Sequence, residues 1–101
     1  MNSVKQKRLD AAGWKRTTVQ GFLNLSDADM EYIETKLALS RRLRELRAKK
    51  ELTQTELAVA LKTSQSRVAK MEKGDPTVSI DLLLQALFRL GATRRQLARS
   101  I

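Results

Sequence analysis

The stretch LTQTELAVALKTSQSRVAKMEKG, from Leu52 to Gly74, leaves the chain few ways to fold. Its local signals specify two short helices joined by a turn. Thr53 followed three residues later by Glu56 is a capping box, in which each side chain satisfies a backbone N–H of a helix start. Leu57, Ala58 and Leu61 then recur at helical spacing, so this helix buries one face. Lys62 and Thr63 make the turn, and Ser64 caps the second helix. There Val68 and Met71, three apart, point inward, which leaves Gln65, Ser66, Ala69 and Lys70 outside. A short helix held by its apolar side, with donors and acceptors on the other, suits a DNA groove; the bland alternative is a solvated helix face.

At these residues the sequence resembles the Cro/CI-type helix-turn-helix proteins, the XRE family. The likeness is carried by Leu43, Leu46 and Arg47, by Leu52-Thr53-Gln54 and Glu56-Leu57-Ala58, by Ser64 to Gly74, and by Ser79 with Leu83 and Leu84. It covers about residues 38 to 101. It implies an all-α fold: a five-helix, lambda-repressor-like helix-turn-helix DNA-binding domain, here with a helical N-terminal extension. It further implies a structural ion pair between Arg47 and Glu72, a phosphate anchor at Gln54, and pairing of two subunits through the C-terminal region. The sequence departs from the family pattern at Glu51 and Lys62, where glycine is usual after a helix. A non-glycine residue in the left-handed conformation costs on the order of 1 kcal/mol.

Composition narrows the classes. The chain has 101 residues, enough for one small domain with an appendage, and contains neither Cys nor His. That removes disulfides, thiol nucleophiles and nearly every structural zinc site, and leaves no ready general base. No metal, cofactor or catalytic residue is expected, and an enzyme is a remote reading because no Ser or Lys has an orienting partner. Leu and Ala dominate the apolar residues and no alternating β-branched run occurs, in keeping with an all-α class. The formal charge of +9 divides as +4 over residues 1–24, +2 over 25–50 and +3 over 51–101. A basic excess spread along the chain favours a polyanionic partner, although a charged soluble surface would look the same. With no apolar run long enough for a membrane span and no signal-peptide core, a soluble cytoplasmic protein is expected.

Two domains are expected, an arm over 1–25 and the helix-turn-helix domain over 26–101. In the arm, Lys5, Lys7, Arg8, Lys15 and Arg16 surround Trp14, Val19, Phe22, Leu23 and Leu25, and Thr18 can cap a turn or two of helix before Gly21. Three readings stay open: a disordered arm on DNA phosphates, an ordered arm packed on its own domain or a second subunit, and a segment that folds onto a partner protein. A long helix follows from about Asp27 to Lys50, opened by Ser26 and Asp29. Its acidic residues Asp27, Asp29, Glu31 and Glu34 complement the helix dipole at one end, as Arg47, Lys49 and Lys50 do at the other. At roughly 100° per residue, Tyr32, Leu39, Leu43 and Leu46 share one face, while Met30, Ile33 and Leu37 lie on another. Such a helix needs two burial partners; a break near Ser40 is the alternative. Beyond Gly74 a short loop leads to a helix capped by Ser79, whose inward residues are Ile80, Leu83, Leu84, Leu87 and Leu90, with Leu82 and Phe88 off that face. Thr93 with Gln96 opens a last short helix whose apolar edge is Leu97, Ala98 and Ile101.

Readout chemistry gives the functional expectation. Gln matches adenine and Lys or Arg matches guanine in the major groove. Gln65, Ser66 and Lys70 are therefore the expected base contacts, with Ala69 suited to a thymine methyl and Arg67 to either base or phosphate. Thr63, Ser64 and Lys73 join Gln54 as phosphate contacts. One module reads few base pairs, so a homodimer on a palindromic operator is expected, and with it repression. Trp14, Phe22, Met30, Ile33, Leu37, Leu97 and Ile101 are the candidate dimer or partner contacts. Small proteins of the resembled family with a brief extension are similar to HigA-type antitoxins, which repress their own operon and neutralise a RelE-like toxin of the HigB kind. A stand-alone phage-type or chromosomal regulator is the alternative, and a protein-bridging adaptor is the reading from another class.

Overall fold

The computed structural model describes residues 16–101. Among these residues there are six helices and no strand: α1 (Arg16–Leu23), α2 (Asp27–Lys49), α3 (Gln54–Leu61), α4 (Gln65–Lys73), α5 (Ile80–Arg89) and α6 (Arg94–Ser100). The fold is all-α, with α2 to α6 supplying the five expected helices and α1 the helical extension. The chain divides into two units, residues 1–34 and 35–101, and α2 runs unbroken across that division, with no interruption at Ser40. Trp14, Lys5, Lys7, Arg8 and Lys15 lie outside the described residues.

In the first unit, α1 starts at Arg16, earlier than a cap at Thr18 predicts, and includes Gly21. A glycine inside a helix costs about 1 kcal/mol, which weakens a helix without ending it. Ser26 and Asp29 open α2 reciprocally: the Asp29 N–H donates to Ser26 Oγ at 3.0 Å, and the Ser26 N–H to Asp29 Oδ2 at 3.1 Å. Gln20 reaches across the α1–α2 turn to donate to Asp27 Oδ1 at 2.8 Å.

The second unit is built on one core. Leu39, Leu43 and Leu46 of α2 join Leu57, Ala58 and Leu61 of α3, Val68 and Met71 of α4, and Leu83, Ala86 and Leu87 of α5. Burial of each such leucine stabilises the domain by roughly 1.5–3 kcal/mol before entropy is counted. Leu90 and Leu97 complete the core, with Ile80, Leu82 and Leu84 packed at its edge.

One device ends each of the first five helices. The Leu25 N–H donates to the Gln20 carbonyl, Leu52 to Arg47, Thr63 to Ala58, Asp75 to Lys70 and Ala92 to Leu87. Each bond spans five residues and needs a left-handed residue just before or within the turn. Asn24, Glu51, Lys62, Gly74 and Gly91 supply it, with φ between 56° and 98°. Glu51 and Lys62 thus hold the conformation a glycine would hold, and the turns keep their ordinary geometry despite the substitution. At Gly74 a side chain is excluded for a second reason: an added Cβ would lie 2.8 Å from Leu37 Cδ2.

Candidate nucleic-acid interface

Helix α4 is fixed at both ends and along one side. Ser64 Oγ accepts from the Arg67 N–H at its start and Gly74 closes it in the left-handed conformation. Val68, Met71 and Glu72 are buried beneath it. Gln65, Ser66, Arg67, Lys70 and Lys73 are left exposed, with Ala69 half-buried among them. Helix α3 packs against α4 and opens with the complete Thr53–Glu56 capping box.

A polar relay runs from beneath this face to its surface. Arg47 and Glu72 form an ion pair in which Arg47 Nε meets Glu72 Oε2 and Nη2 donates to Oε1 at 3.0 Å. Glu72 is only 5% exposed, a depth at which a carboxylate needs its cation. The pair raises the Arg47 pKa, chiefly through the hydrogen bonds to Glu72. Arg47 Nη1 also donates to the Leu52 carbonyl at 2.9 Å, which ties the end of α2 to the start of α3. Gln54 Nε2 donates to Glu72 Oε1 at 3.0 Å, and Gln54 Oε1 accepts from Gln65 Nε2 at 2.7 Å. Gln65 is thereby held while its carbonyl oxygen and second amide hydrogen stay available. Those are the two groups with which a glutamine addresses adenine in the major groove.

Beside α4 an open pocket is lined by Ser64, Ser66, Arg67, Lys70, Thr77 and Val78. Its lining includes Thr77, from the short loop between Gly74 and Ser79. Thr77 is held by Asp75, whose Oδ1 accepts from the Thr77 N–H at 2.8 Å and from its hydroxyl at 2.6 Å. These bonds hold the Asp75 carboxyl below its ordinary pKa, with smaller help from Lys70 and Lys36. An Asp-x-Thr signature after a helix-ending glycine is the local signal that could have pointed to it.

The candidate partner contacts separate. Leu97 is 3% exposed and packs in its own domain's core. Ile101 stays exposed at the end of α6. Met30 is also buried, Ile33 is half-buried, and Leu37 and Phe22 are exposed. Tyr32 shares the angular position of Leu39 and Leu43 but is 53% exposed. No described helix is long and apolar enough to cross a membrane.

No curated protein and no solved structure gives a significant match to the chain. A family model does: that of a helix-turn-helix domain, over residues 38–100. That span takes in α3, α4, α5 and α6 whole, with the Arg47–Glu72 pair and the exposed face of α4, and it is well over half of the chain, which therefore belongs to the helix-turn-helix domain family.

Proposed function

We propose that the protein is a sequence-specific DNA-binding transcriptional repressor that acts as a homodimer on a palindromic operator. The observation that carries this reading is the exposed α4 face with Gln65 held in place by Gln54. Gln65, Ser66, Lys70 and Ala69 meet base edges; Arg67 meets a base or a phosphate. Gln54, Thr63, Ser64 and Lys73 contact phosphates, and Thr77 extends that set. The arm over 1–25 is an appendage to the domain over 26–101. Within that arm Phe22, 86% exposed on α1, favours a partner-binding extension, and with it an autoregulatory antitoxin whose partner is a small RelE-like toxin.

Selection from random duplexes tests the core of the proposal. An inverted repeat with half-sites about one helical turn apart should emerge. Gln65→Ala should cost roughly 1–3 kcal/mol on that site and relax preference at one base pair. An equal loss on random DNA would move Gln65 to backbone contact. Affinity that is weak and sequence-blind for every duplex would favour the adaptor reading instead.

A further inference from the structure

Between the α3–α4 turn and helix α5 lies a cavity of about 330 Å³. Small-molecule sites run from about 300 to 1,000 Å³, so it has room for a compact ligand. Leu61, Met71, Leu82 and Ala86 give it an apolar floor. Lys62, Arg67 and Arg89 stand around that floor with the amide of Gln85, and no carboxylate lines it. Three cations gathered without an acidic neighbour in the lining repel one another and focus a positive field into the cleft. An anion relieves that repulsion, and the floor asks for an apolar body attached to it.

One of the three cations is placed by a backbone carbonyl. Arg89 Nη1 donates to the Leu61 carbonyl at 3.4 Å, which draws the guanidinium from α5 toward the end of α3. A guanidinium has five N–H donors, so this bond leaves others for a ligand. Lys62 projects from a left-handed residue, φ 58°, where a glycine would be unstrained. Arg67 lines this cavity and also the open pocket beside α4.

We propose that the cavity binds a small carboxylate on a compact apolar body, held by Arg67, Arg89 and Lys62, and that the ligand weakens DNA binding by drawing Arg67 toward α5. The second half rests on the DNA-binding reading above; the first does not. Paired N–H donors of arginine suit a carboxylate, and inorganic phosphate lacks the body that the floor would cover.

Titration of the isotope-labelled full chain with sodium benzoate, followed by NMR, tests the site. Benzamide supplies the same shape without charge, and inorganic phosphate the charge without the body. Benzoate should move the amide signals of Thr63, Arg67, Gln85 and Ala86 with a Kd of about 1 mM or tighter, and both controls should bind about tenfold more weakly. Arg89→Gln should weaken benzoate binding about tenfold. Lys62→Gly should weaken it too while relieving the left-handed backbone, so its melting temperature should hold or rise and unfolding cannot explain the loss. No movement at those amides at about 10 mM benzoate, benzamide binding as well as benzoate, or full affinity in both variants would overturn the site. At matched ionic strength, saturating benzoate should lower affinity for the selected duplex. Unchanged affinity would overturn the coupling. If no duplex were bound at all, the DNA-binding reading would fall, and the amide shifts would still decide the carboxylate site.

Discussion

Glu51 shows how a single residue sets a measurable cost in this fold. Its φ of 57° belongs to the bond that closes α2, from the Leu52 N–H to the Arg47 carbonyl. A side chain in that conformation costs roughly 1–2 kcal/mol, while glycine brings back about 0.5–1 kcal/mol of chain entropy on unfolding. The strain is the larger of the two. Glu51→Gly should therefore raise stability by about 0.5–1 kcal/mol, seen as a higher urea midpoint with an unchanged slope. A lower midpoint would mean that the glutamate makes a contact worth more than the strain. Asp75 carries the opposite kind of prediction. Its carboxyl is held below its ordinary pKa by the Thr77 hydroxyl and amide, so the folded state binds a proton there less readily than the unfolded chain. The resulting stabilisation is present above the ordinary carboxylate pKa and is lost as pH falls through the lowered one. Asp75→Asn should melt below the parent at neutral pH, with the gap closing as the solution is acidified past the carboxylate range. A gap that stays constant into acid would show that geometry, and not charge, holds the Asp75–Thr77 turn.

At the scale of helices, what could be read in the sequence was what short-range chemistry dictates. Thr53 with Glu56, Ser64, Ser79, and Thr93 with Gln96 mark the starts of α3 to α6 because a cap involves only residues within one turn. Val68 and Met71 were legible as the buried side of α4 because burial repeats with the helical period. That Leu97 packs into its own domain's core was not legible, since the edge of Leu97, Ala98 and Ile101 on a seven-residue helix is too short to tell a core face from a partner face. The Arg47–Glu72 pair came only from the resemblance to a family: 25 residues separate the partners, and no local pattern joins them. The link through Gln54 to Gln65 was not foreseen at all, because it exists only once α3 and α4 are packed. That link makes α3 a support for the exposed face of α4. Gln54→Ala should leave the caps and core intact and still reduce operator affinity by roughly 1–3 kcal/mol. Its loss should overlap with that of Gln65→Ala: a double-mutant cycle should give a coupling of about 0.5–3 kcal/mol. Additive losses would show that the two glutamines contact DNA independently.

For the molecule as a whole, the proposed phosphate contacts, drawn from a chain of net charge +9, decide how DNA binding responds to salt, and that response can also count the copies on one duplex. Each phosphate neutralised releases condensed counterions, so log K falls against log salt with a slope of about −0.9 per contact. Lys73 is suited to measuring this, being exposed at the end of α4 and outside the hydrogen bonds that join Arg47, Glu72, Gln54 and Gln65. Removing its charge should weaken binding by a similar factor on every sequence and leave base preference alone. If one copy sits on the duplex, Lys73→Ala should make the slope shallower by about 0.9; if two copies sit on a palindrome, by about 1.8. The proposed homodimer requires the larger change on the full operator and the smaller on an isolated half-site. A change of about 0.9 on both would mean that the protein binds as a single copy, and repression would then have to come from a monomer or from a partner held at another surface. No change on either would take Lys73 out of the phosphate contacts, and the footprint would contract toward Gln54, Thr63 and Ser64.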